Sequence, residues 1–86
     1  VKLTAALVKE QRVLFAVVLV KSYVLNSVER GQTIQAAQQF FPGYNIILMS
    51  QDGRGIPTFF GRRDIVGFLQ SVPVNSLPWK EFTFAI

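Results

Sequence analysis

The chain has 86 residues, half of them apolar and 16% charged, with nine Lys and Arg against five Asp and Glu, and it contains neither His nor Cys. That length sets an expectation of one small domain over residues 1–86. The missing residue types exclude disulfides, thiolate nucleophiles, sulfur-ligated zinc or iron–sulfur centres, and imidazole as general base or metal ligand. The expectation is therefore a protein that is not an enzyme, with no catalytic residue, no metal and no cofactor.

Carboxylates are the remaining route to catalysis: Glu10, Glu29, Asp52, Asp64 and Glu81. Asp52 and Asp64 fall at opposite ends of one expected strand, and five extended residues span about 17 Å, so they would not meet across a single sugar unless the loops folded back. No D-x-D-x-D run marks an oxygen-ligand metal site.

The charged fraction of 16% lies below the roughly 25% usual for soluble domains, and the mean hydropathy is +0.34. Such a composition excludes disorder. A domain of this size buries only about 60% of the surface its unfolded chain exposes, so two readings stay open. The apolar excess fills a dense core, or some of it is covered by self-association or a protein partner. The net charge of +4 is a weak attraction to nucleic acid, anionic lipid or acidic proteins.

In chain order, Leu3, Ala6, Leu7 and Glu10 are spaced three and four apart, which predicts a short helix over Lys2 to Gln11. Val13 to Val20 is continuous, Val-rich and without alternation, the pattern of a strand buried on both faces. Its eight apolar residues are closed by Arg12 and Lys21, whereas a membrane-spanning helix needs about 20. A signal-peptide reading fails on Glu10 and on Lys21-Ser22-Tyr23-Val24, which has no small-residue cleavage pattern. A cytoplasmic protein is the default expectation.

Asn26 and Glu29 have capping-box spacing, and a helix is expected from Gln32 to Phe41, with Ile34, Ala37 and Phe41 on one face and Pro42-Gly43 ending it. Tyr44 to Met49 and Ile56 to Phe60 read as two strands joined by a loop from Ser50 to Gly55. Pro57 puts the second of these at an edge, because it cannot donate to a ladder. Asp64 is expected to cap a helix carrying Ile65, Phe68, Leu69 and Val72 on one face, stopped by Pro73. Trp79 to Ile86 alternates, with Phe82, Phe84 and Ile86 on one side, as a terminal strand. The predicted fold is thus α/β or α+β, in the order α-β-α-β-β-α-β. It has a four-stranded mixed sheet, two or three packed helices, and its first two long strands parallel.

The segment from Asp52 to Asp64 holds Arg54, Arg62 and Arg63 among Gly53, Gly55 and Gly61. Gly lets backbone N–H groups approach a ligand, and Arg offers a planar donor fork to phosphate or carboxylate. Arg54, Arg62, Arg63, Gly53 and Gly55 are therefore candidate binding residues for an anion or nucleic acid. The alternative is purely structural: glycines serving a hairpin and a helix start, Asp64 as cap, and solvated Arg side chains. Phe59 and Phe60 must point to opposite faces of their strand. The outward one needs a helix, a partner chain or a nucleobase stacked beside Arg to cover it, the alternative being a sheet covered by helices on both sides.

Val17 to Tyr23, the following helix, the strand at Ile46 to Met49 and then Ile56-Pro57-Thr58 resemble the strand–helix–strand and Pro-led strand of thioredoxin-like proteins. The resemblance implies a thioredoxin-like arrangement as the second fold candidate. It implies no redox activity, since no Cys occurs near Tyr23 to Asn26. The functional expectation is a non-catalytic, self-associating interaction module using apolar strand surface, with the third or terminal strand as seam; the alternative is an anion or nucleic-acid binder.

Overall fold

The computed structural model describes residues 1–10 and 12–85. The chain forms an α+β domain whose five-stranded mixed sheet is covered on both faces. Its strands are β1 (Lys2–Glu10), β2 (Val13–Leu19), β3 (Asn45–Gln51), β4 (Pro57–Phe60) and β5 (Trp79–Thr83), in the spatial order β4-β3-β2-β1-β5. Helices α1 (Ser22–Leu25) and α2 (Arg30–Gln38) lie between β2 and β3 in sequence. Helix α3 (Arg63–Gln70) and a 3-10 turn (Val74–Ser76) precede β5.

The run Val13–Leu19 becomes the central strand because it can be buried on both sides. Ala16 and Val18 face one core while Phe15 and Val17 face the other, and all four are almost inaccessible. Strand β3 repeats this: Ile46 and Leu48 face the first core, Ile47 and Met49 the second. The two strands pair in parallel, Phe15 with Asn45 through Leu19 with Met49, and the Asn45 amide donates to the Leu14 carbonyl at 3.0 Å. Strands β3 and β4 pair antiparallel.

Lys2–Glu10 is a strand rather than the expected helix, so the order begins β-β and the sheet has five strands instead of four. It pairs antiparallel with β2, from Ala5 with Val18 to Glu10 with Val13. Its Lys, Leu, Ala and Glu residues favour a helix locally, but Ala5 and Ala6 are both fully buried, one in each core. A helix in place of β1 would leave the β2 edge uncovered, and the ladder outweighs the propensity.

The first core lies under α1 and α2. Leu25, Ala37 and Phe41 are buried against the sheet, with Ile34 packed at the margin. Before α2, Ser27 Oγ accepts from the Glu29 N–H at 3.0 Å. After α2 the Gln38 amide donates to the carbonyls of Phe41 and Tyr44, at 3.0 and 2.8 Å, and Gly43 turns the chain with φ of 85°. The second core lies under α3, where Ile65 and Leu69 are buried. Phe68 remains partly exposed with its ring edge-on to Phe15. Gly61 lets the chain leave β4: a Cβ there would stand 2.5 Å from Ile47 Cδ1 and 3.1 Å from the Ile46 carbonyl oxygen.

Phe59 and Phe60 divide between the cores as alternation requires, and helices cover both faces. Phe60 also lies beneath the Arg30 guanidinium, 4.1 Å from its ring centre. In β5, Phe82 joins the first core together with Phe84 just beyond it, and Trp79 joins the second. Ile86 lies outside the described residues. The Trp79 indole donates to the Val74 carbonyl at 2.8 Å, tying the 3-10 turn to the sheet.

Candidate functional site

The candidate arginines fall into two places. Gly53, Arg54 and Gly55 belong to the loop 52–56 at one end of β4, whereas Arg62 and Arg63 follow its other end. A four-residue strand rising about 3.3 Å per residue sets the backbones of Arg54 and of Arg62–Arg63 at opposite ends of β4. The loop also uses its own donors. Asp52 Oδ1 accepts from the N–H groups of Arg54 and Ile56 at 2.8 and 3.0 Å, and the Gly55 N–H donates to the Asp52 carbonyl at 2.9 Å. Gly55 adopts φ of 80°, which this closed turn requires.

At the other end, Arg62 Nε lies 2.8 Å from Asp64 Oδ1, both side chains more than half exposed. Asp64 is not the helix cap expected. Helix α3 starts at Arg63, the cap position is Arg62, and no side chain bonds the free amides there. Asp64 sits in the first turn, where its charge complements the helix dipole and partly neutralises Arg62.

The outer edges of the sheet differ in what they offer. On β4, Asp52 and Ile56 occupy a hydrogen-bonded position, with the Asp52 N–H donating to the Ile56 carbonyl at 3.1 Å. Antiparallel alternation then turns Thr58 and Phe60 inward toward β3, and Pro57 and Phe59 outward. Pro57 has no N–H, so Phe59 supplies the strand's one outward donor. This edge is blunted.

On β5, Val1 and Phe84 exchange both backbone hydrogen bonds, at 2.9 and 2.8 Å. The same alternation makes Leu3–Phe82 and Ala5–Lys80 the bonded pairs, and turns the backbones of Trp79, Glu81 and Thr83 away from β1. The Trp79 N–H donates to the Leu77 carbonyl at 2.8 Å. Among the described residues, the N–H and C=O groups of Glu81 and Thr83 and the Trp79 carbonyl form an open ladder at the end of the sheet.

Beside that ladder stands an aromatic group on the first-core face: Phe40 and Phe84 have ring centres 4.5 Å apart, Phe41 and Phe82 5.3 Å, and Phe82 and Phe84 6.2 Å. Lys80 shares this face, with Nζ 5.6 Å from the Phe82 ring centre. The alternation of Trp79 to Phe84 is visible in the sequence. Which backbone groups turn outward depends on the register with β1, whose strand character the sequence conceals.

Among the described residues, no helix is long and apolar enough to cross a membrane. The chain matches no protein-family model, no curated protein and no solved structure.

Proposed function

We propose that the protein is a non-catalytic interaction module that self-associates by pairing β5 with β5 of a second copy across a two-fold axis. The observation that carries this reading is the open ladder of Glu81 and Thr83, set against the Pro57-blunted edge on the opposite side.

Charge selects the register. An axis through Lys80 or Glu81 would set identical charges face to face, which is destabilising. An axis through Phe82 pairs Phe82 with its symmetry mate, Glu81 with Thr83, and Lys80 with Phe84. Glu81 and Thr83 then exchange backbone hydrogen bonds, and the two Phe82 residues occupy the closer, non-bonded position. The aromatic group of each copy continues into the other, with Lys80 above an aromatic ring as it already is within one chain.

Amide hydrogen exchange tests the reading. Raising the protein concentration from the micromolar range should slow exchange at Glu81 and Thr83 and leave Phe59 unchanged. Exchange at Glu81 and Thr83 that is fast and independent of concentration contradicts it.

A further inference from the structure

The carboxyl ends of the parallel strands β2 and β3 border a crevice of about 380 Å³, lined by Ser22, Asn26, Ser50, Asp52 and Thr58 around Leu25. Ser50 is 4% exposed and is the buried polar residue of the core. It ends the apolar run Ile46 to Met49, on the face shared with Leu48 and opposite Thr58. Its hydroxyl makes no hydrogen bond to the described residues, and no side-chain polar atom among them is both fully enclosed and unpartnered. The hydroxyl therefore opens on the crevice. There it is left to bond water or a ligand rather than the protein.

The lining discriminates among ligand classes. It contains no Lys or Arg, and its one carboxylate, Asp52, already accepts two backbone N–H groups. An anion meets no countercharge and one repulsive carboxylate. A cation meets a single carboxylate whose lone pairs are partly used. An apolar ligand meets Leu25 amid hydroxyl and amide groups. The hydroxyls of Ser22, Ser50 and Thr58 can each donate or accept, the Asn26 amide can do both, and Asp52 can accept from a ligand hydroxyl. From this set we infer that the crevice is a binding site for a small uncharged polyol or sugar, with Ser50 as the deepest contact. The site lies at the opposite side of the sheet from β5 and is independent of self-association.

The test is titration of the ¹⁵N-labelled protein with glycerol, ribose, glucose and galactose, and separately with inorganic phosphate, followed by amide shifts and repeated on Ser50→Ala. At least one polyol should shift the amides of Ser22, Asn26, Ser50 and Thr58 in a saturable way at millimolar concentration, while phosphate leaves them unmoved. Ser50→Ala should weaken that binding tenfold or more without lowering the melting temperature, because the hydroxyl it removes has no partner in the protein. The inference is overturned if no polyol shifts these amides, if phosphate shifts them instead, or if Ser50→Ala binds as tightly as the parent.

Discussion

Thr4 and Glu81 stand opposite each other across the β1–β5 ladder in a position without mutual hydrogen bonds, flanked by the bonded pairs Leu3–Phe82 and Ala5–Lys80. Because β1 is bonded through Phe82 and Lys80, Glu81 is free to present its backbone outward. The same strand thus anchors its aromatic side chains in the first core and turns alternate peptide groups away from β1.

Helix α3 gives a ranking of stability losses. Leu69 is 1% exposed and central to the second core, and Leu69→Ala should cost about 2–5 kcal/mol through the cavity it opens. Asp64→Ala loses a first-turn charge and an exposed ion pair, so its cost should stay below about 1 kcal/mol. Denaturant melts of the two variants check the order.

Gly61→Ala should destabilise the fold by about 1–3 kcal/mol, because the added methyl meets the fully buried Ile47 side chain at 2.5 Å and the Ile46 carbonyl oxygen at 3.1 Å. Gly53→Ala, where a Cβ has no neighbour within 4 Å, is the matched control and should melt close to the parent.

The separation of the arginines leads to a negative expectation. Changing Arg54, Arg62 and Arg63 together to Gln should alter stability by less than about 1 kcal/mol, since exposed charges contribute little. Titrations with single-stranded RNA at low and moderate salt should show the same weak, salt-sensitive attraction in parent and variant, apart from the reduction due to net charge. A tight parent complex lost in the variant would restore a convergent anion site.

The parts of the fold legible in the sequence are those where local pattern and tertiary role coincide. Val13–Leu19 and Asn45–Gln51 are strands by composition and buried on both faces, and Pro57 marks an edge through its missing donor. Lys2–Glu10 misleads because its residues are helix formers. Its alternate faces, Leu3, Ala5 and Leu7 against Ala6 and Val8, are blurred by two adjacent alanines. The separation of Arg54 from Arg62 follows from strand length alone. The outward set of Glu81 and Thr83 does not, since it requires the register with β1. Ser50 is visible as a polar residue ending an apolar run, but its crevice forms only when α1 and the β3–β4 loop meet.

Sedimentation of the parent beside Glu81→Pro tests self-association through β5 most directly. Proline at position 81 removes an outward N–H and none of the bonds to β1, so the variant should keep its fold. The account predicts that the parent's mass rises with concentration from the 9.7 kDa chain toward twice that value, and that Glu81→Pro stays at one chain throughout. A parent that remains monomeric over a hundredfold concentration range, or a Glu81→Pro variant that associates as the parent does, would contradict it.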